Sequence, residues 1–246
     1  MINVFFEIHS NLSREGPGDN KSTRRAYRML TDLPTKPRIL DVGCGPGMQT
    51  IELAKLSNGE ITAVDNHQPF LDALKRQAAS EGVSENIKIV NGDMGCLGFE
   101  AKSFDLIWSE GAIYNIGFEK GIRELCKFLA DEGYLAVSEL CWLSPNPPEE
   151  VKKFFLTSYP AMKLVDENLQ IIKTAGYRVV GYFILPDSSW WSSYYTPIEA
   201  KLPSLKVKYR DDKEALAVIC SEELEITMFH KYSRYYGYVF YVMQPQ

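Results

Sequence analysis

"RILDVGCGPGMQT", Arg38–Thr50, runs a short apolar strand into three alternate glycines, Gly43, Gly45 and Gly47, and then into a helix. In the stretch that follows, "MQTIELAKLS", Ile51, Leu53, Ala54 and Leu56 fall largely on one helical side. Outward from this unit the same alternation repeats. "EITAVD" reads as a second strand, "PFLDALKRQAASEG" as a helix ending at Gly82, and "NIKIVNGD" as a third strand. "SFDLIWSEG" is a fourth strand, "FEKGIRELCKFLADEG" a helix, and "YLAVSEL" a fifth strand. Strands separated by helices of about ten to fifteen residues imply right-handed crossovers and a parallel sheet covered on both faces. The expected fold is therefore α/β, doubly wound and Rossmann-like.

Beyond Leu140 the alternation loosens. "PPEEVKKFFLTSY" and "MKLVDENLQIIKTAG" read as helices, "YRVVGYFILP" as a sixth strand, and 186–210 as an irregular aromatic stretch. A long helical run then leads to a last strand, "GYVFYVMQ". Upstream, residues 22–31 look helical, with Ser22 or Thr23 as N-cap. The simplest organisation is one domain, residues 1–246, with an N-terminal lid segment at about 1–33 and a substrate-side insertion at about 186–210.

Of the 246 residues 45% are hydrophobic and 12% aromatic, enough for a large single core. A net charge of -5 and no basic stripe argue against a nucleic-acid partner. The cysteines, Cys44, Cys96, Cys126, Cys141 and Cys220, are odd in number and include no C-x-x-C pair. They read as reduced thiols of a cytoplasmic protein rather than disulfides or metal ligands. No segment approaches the roughly 18 apolar residues of a membrane span.

A strand, a glycine turn and a helix can bind a dinucleotide, and Asp65 supplies the acidic residue expected at the end of the second strand. However, G-x-G-x-x-G needs its third glycine where Met48 stands, and no Gly-Lys-Ser/Thr follows to make a P-loop. Asp41 adds a charge argument. A carboxylate two residues before Gly43 would repel a pyrophosphate by roughly 4 kcal/mol per charge pair at about 4 Å and a dielectric near 20. An ammonium or sulfonium would be attracted comparably, so the loop suits S-adenosylmethionine, which has both cations and no phosphate.

Four stretches together carry a family resemblance: D-V-G-C-G-P-G at 41–47, "AVDNHQPFL" at 63–71, "NGDM" at 91–94 and "FDLIWSEGAIYNIG" at 104–117. They resemble the class I S-adenosylmethionine-dependent methyltransferases, most of all the subgroup related to the ubiquinone/menaquinone-biosynthesis enzymes. The resemblance implies a seven-stranded mixed sheet with an antiparallel last strand. It also implies roles. Gly43, Cys44, Gly45 and Gly47 would bring backbone to the methyl donor, and Asp41 would bind its ammonium. Asp65 would take the ribose hydroxyls and Asp93 the adenine amino group, with Asn66, Gly92 and Met94 bordering the ring. Ser109 and Glu110 would face the methionyl group and the methyl.

Glu110 is the leading candidate for a general base, needed if the acceptor must lose a proton. Glu139 and His67 are the alternatives, and Tyr114 a candidate orienting hydroxyl. Trp142, Tyr114 and some of Trp190, Trp191, Tyr194 and Tyr195 are expected to wall a pocket for a small, partly apolar or cationic acceptor. The competing readings are an NAD-dependent oxidoreductase and a cofactor-binding interaction protein without catalysis. The acceptor atom and the oligomeric state are not encoded in any motif of the chain.

Overall fold

A computed structural model describes residues 4–246. Eight strands form one sheet: β1 Arg38–Val42, β2 Glu60–Asp65, β3 Ile87–Asn91, β4 Phe104–Glu110, β5 Leu129–Trp142, β6 Lys163–Leu164, β7 Tyr177–Ile184 and β8 Tyr236–Pro245. The helices are α1 Val4–His9, α2 Asn20–Tyr27, α3 Met48–Ser57, α4 Gln68–Ser80, α5 Phe118–Cys126, α6 Glu149–Ser158, α7 Val165–Thr174, α8 Ser188–Trp190, α9 Thr196–Lys208 and α10 Lys213–Tyr232. Sheet order is β3-β2-β1-β4-β5-β8-β7, with two-residue β6 pairing β5 off this path. The expected seven strands are thus joined by one short addition. β8 runs antiparallel to both β5 and β7, and β1 to β5 are mutually parallel.

The alternation of strand residues sorts them onto two apolar faces. Ile39, Ile61, Leu106, Ala136 and Phe240 pack with Leu53 and Ala54 of α3 and Ala26 of α2. Leu40, Val64, Ile107, Leu135 and Tyr241 pack on the other side with Ile122 and Leu125 of α5 and Ile172 of α7. Because strands are buried on both sides, they read in the sequence as continuous apolar runs. The chain leaves β1 for β2 and β3 in one direction and returns to β4 and β5 in the other. That reversal opens a crevice at the carboxyl ends of β1 and β4, the place where sheets of this type receive ligands.

Two expectations need correction. The stretch 186–210 is helical rather than irregular: α8 passes through a π-helical turn, Trp191–Tyr195, into α9. Its aromatics build a second core with α1 and α10. Trp190 stacks on Phe229 with centroids 4.1 Å apart, and Tyr195 is fully buried. Apolar contact with a partner helix, invisible in the segment's own sequence, fixes its conformation. In addition, α2 begins at Asn20 with Asp19 as N-cap, its side chain accepting from the Ser22 amide at 2.7 Å. The helix 22–31 therefore starts earlier and ends sooner than expected, and Ser22 and Thr23 lie inside it.

Candidate functional site

The glycine loop sits at the crevice because each of its glycines is required there. Gly43, Gly45 and Gly47 all have positive φ, a region costly for residues with a Cβ. A Cβ on Gly43 would come within 2.4 Å of the Ala112 Cβ, so the β1 and β4 loops touch over this position. Gly47 is excluded from substitution by packing, since its Cβ would lie 2.2 Å from Leu74 of α4. The amides of Gly43 and Cys44 both donate to the Val64 carbonyl, at 2.8 and 3.0 Å, which ties the loop to β2.

Above the loop lies a cavity of about 560 Å³, within the range of small-ligand sites. Gly43, Cys44, Gly45, Asp65, Asn66, Gly92, Asp93, Met94 and Glu110 all line it, from four separate loops. Gly47 does not line it and serves as the αL start of α3. Ser109 lies behind the wall, its hydroxyl donating to the Val42 carbonyl at 2.9 Å. It joins β4 to β1.

Asp65 takes one backbone donor on each oxygen, from Gly45 N to Oδ2 and from His67 N to Oδ1, both at 2.9 Å. A carboxylate oxygen has two acceptor positions, so each Asp65 oxygen keeps one for a ligand hydroxyl. Asp93 turns the chain by accepting from the Gly95 amide at 2.7 Å on Oδ1. Cys44 is buried, and burial together with Asp41 and Asp65 pushes its thiol well up, so it is no thiolate nucleophile.

Asp41 lies fully buried beneath the loop rather than in the cavity lining. Thr50 Oγ1 donates to its Oδ2 at 2.6 Å, while Oδ1 has no partner. Burial raises its pKa to about 7. An orphaned acceptor under a glycine loop is a feature that a nearby cation would relieve.

Glu110 is engaged on both oxygens. Arg14 Nη2 donates to Oε2, and Thr23 Oγ1 and Trp108 Nε1 donate to Oε1 at 2.7 and 2.9 Å. Arg14 and Thr23 come from the N-terminal segment, and Arg14, Glu15, Gly16 and Pro17 line the same cavity. That segment is held further by Gly18 N, which donates to the Ser189 carbonyl at 3.0 Å, and by Lys201 Nζ, which donates to the Ile8 carbonyl at 2.8 Å. On α1, Phe6 stacks on the ring of His67 with centroids 4.1 Å apart and planes within 3°. Buried His9 stands 3.1 Å from Glu15 and 3.5 Å from Glu222. The lid segment expected at about 1–33 contains Arg14, Thr23, Phe6 and His9, but no motif assigned any of them to the site, because their partners are remote along the chain.

Of the aromatics expected around an acceptor, Tyr114 lines the cavity. Trp190, Tyr194 and Tyr195 are buried core, Trp142 and Trp191 pack against that core, and none of the five borders the cavity. Glu139 is buried at the end of β5, with Tyr159 OH donating to its Oε1 at 2.5 Å.

Residues 39–133 match the family model described as "Methyltransferase domain". The sterol 24-C-methyltransferase of Neurospora crassa is 28% identical over 175 residues, 67% of this chain and 46% of the relative. The demethylmenaquinone methyltransferase of Staphylococcus aureus is 37% identical over 106 residues, 42% of this chain and 39% of the relative. This chain thus spans less than half the length of these curated relatives. Its fold matches the crystal structure of a methyltransferase from Geobacter sulfurreducens in complex with S-adenosyl-L-homocysteine, with a TM-score of 0.85 and 22% identity, over 100% of this chain and 99% of that one.

Proposed function

We propose that this protein is an S-adenosylmethionine-dependent methyltransferase that acts on a small-molecule acceptor. The observation that carries this reading is the convergence of Asp65, Asp93 and the Gly43–Gly45 loop on one cavity, over the unpartnered carboxyl oxygen of Asp41. When bound, the donor supplies a methyl group on a positively charged sulfur. Asp65 would hold two ribose hydroxyls with its remaining acceptor positions, and Asp93 would take the adenine amino group through Oδ2. Asn66, Gly92 and Met94 would border the ring. Asp41, below the loop, would offset the ammonium charge. An anion in that place disfavours a pyrophosphate and so an NAD cofactor.

Glu110 has a different role in this reading from that of a base. Its two oxygens already accept from three donors, one a guanidinium, so Glu110 anchors the segment 4–19 over the donor and excludes water. The buried aromatics at 190–195 hold the helical insertion that receives this lid. Among the described residues no helix is long and apolar enough to cross a membrane. The reduced, dispersed cysteines suit a cytoplasmic setting, and the net charge of -5 suits a small acceptor rather than nucleic acid.

Isothermal titration with S-adenosylhomocysteine and with NADH tests the reading. S-adenosylhomocysteine is expected to bind more tightly. Asp65→Ala removes two hydrogen bonds to a charged group at about 1.5 kcal/mol each, a loss of roughly 100-fold in affinity. Tighter binding of NADH would overturn the assignment. Tight donor binding with no methyl transfer to any member of a broad acceptor panel would point to a non-catalytic binding protein.

A further inference from the structure

A second cavity of about 200 Å³ lies against the first. The chain segment that closes the donor cavity, ending at Tyr114, Asn115 and Ile116, continues directly into Gly117 and Phe118 of the second. Tyr114 of the first cavity stands edge-on to Tyr159 of the second, with centroids 5.9 Å apart. Register places the new cavity at the height of the donor site: Glu110 pairs with Ser138 across β4 and β5, and the next residue is Glu139. The Gly111 amide, from the donor-site wall, donates to the Ser138 hydroxyl at 2.8 Å.

Glu139 is the buried acidic group of this second cavity, which Asn168, Glu119, Lys120 and Lys163 also line. It is 2% exposed and lines the cavity; Tyr159 satisfies Oε1, and Oε2 has no hydrogen-bond partner. Among the described residues it makes no ion pair, since Lys120 and Lys163 on the rim are exposed. Apolar walls come from Phe118 and Ile171. A buried carboxyl without a cation is costly, and burial raises the Glu139 pKa to about 7.

We propose that this cavity is the acceptor subsite, and that it takes a small apolar molecule carrying one primary or secondary amine, held at its nitrogen by Glu139. The proposal rests on the methyltransferase reading above and names its substrate class. An ammonium both donates to Oε2 and neutralises the buried charge, while the rings of Tyr159 and Tyr114 suit a cation. A neutral alcohol would satisfy the oxygen and leave the charge uncompensated. One ammonium proton passes to Glu139 Oε2 and frees the nitrogen lone pair for the methyl carbon. As the N–C bond forms, the C–S bonding pair stays on sulfur, giving an N-methylammonium and a neutral thioether.

Benzylamine and benzyl alcohol, equal in shape and different in charge, are the probes. In amide NMR titrations of the full chain, benzylamine is expected to perturb Phe118 and Ile171 and to lose tenfold or more in affinity in Glu139→Gln. Benzyl alcohol is expected to bind weakly and equally to both proteins. Retention of S-adenosylhomocysteine affinity by Glu139→Gln shows that the variant is folded. If that variant does not fold, Tyr159→Phe, which frees Oε1, is expected to change benzylamine affinity several-fold and leave benzyl alcohol unchanged. Absence of benzylamine binding, or binding indifferent to these substitutions, overturns the subsite. Failure of the wild type to bind S-adenosylhomocysteine while it binds benzylamine would sink the donor reading alone.

Discussion

The glycine-loop side of the crevice and the N-terminal cap that borders it are built by opposite means. Between Arg38 and Asp93 the ligand-facing groups come from short loops, each following its own strand, and they are held mostly by backbone hydrogen bonds such as Gly45 N to Asp65. In the cap, α1, the segment to Asp19, and the helices from Ser188 to Tyr232 are held by side chains that meet across most of the chain. Arg14 and Glu110 are 96 positions apart, and Lys201 is 193 from Ile8. A site made of local turns tolerates drift in its surroundings. One made of remote side-chain pairs depends on each pair.

The sharpest way to separate the two regions is to empty the cap core. Trp190→Ala removes a 3% exposed ring stacked on Phe229 and is expected to cost about 3–5 kcal/mol, read by urea unfolding. The loop around Gly43 shares no contact with this residue, so the folded fraction should keep donor affinity within a few-fold. An equal loss of affinity would show that cap and donor site are one unit.

Cutting the link between the regions comes next. Arg14→Ala leaves Glu110 buried without its guanidinium, a change expected to cost about 3 kcal/mol. Hydrogen exchange should rise in residues 4–19 and stay unchanged in α3. Protection that persists in the segment would mean that Lys201 and Ser189 suffice to hold it.

The smallest expected effect is a pH dependence confined to the cap. Burial alone would lower the His9 pKa, but Glu15 and Glu222 overcome it and hold it at about 9, against an ordinary 6.5. Its contribution is complete below about pH 6.5 and is lost as pH rises towards 9. Over that window stability should fall by less than about 3.5 kcal/mol, since each tenfold gain in proton affinity on folding is worth about 1.4 kcal/mol. His9→Gln should flatten the decline, although Lys201, whose pKa burial lowers, also faces Glu15. A decline unchanged in His9→Gln would assign it to another group.

Legibility in the sequence follows the same division. Asp65 could be read from its strand ending, and Asn66, Gly92, Asp93 and Met94 from the family resemblance; a parallel sheet delivers every carboxyl end to one edge. Ser109 and Gly47 stand at the expected strand and loop ends and do not line the cavity. Which way a side chain at a strand end turns depends on the neighbouring strand, as with the hydroxyl of Ser109 on the Val42 carbonyl. The tryptophans and tyrosines at 190–195 suggested a ligand wall, and they fill a core because α10 offers Phe229 and its neighbours.

By itself, then, the sequence determined the doubly wound sheet, the glycine loop and the acidic residues that face it. Apolar periodicity and positive-φ glycines act over a few residues, and they leave a readable pattern. Only the tertiary structure decided that Glu110 is bound by Arg14 and Thr23, that Phe5, Phe6 and residues 14–17 line the cavity, and that Glu139 is left with a free oxygen beside a second one. Burial and the pairing of charges remote along the chain are properties of the packed molecule, and no spacing along the chain records them.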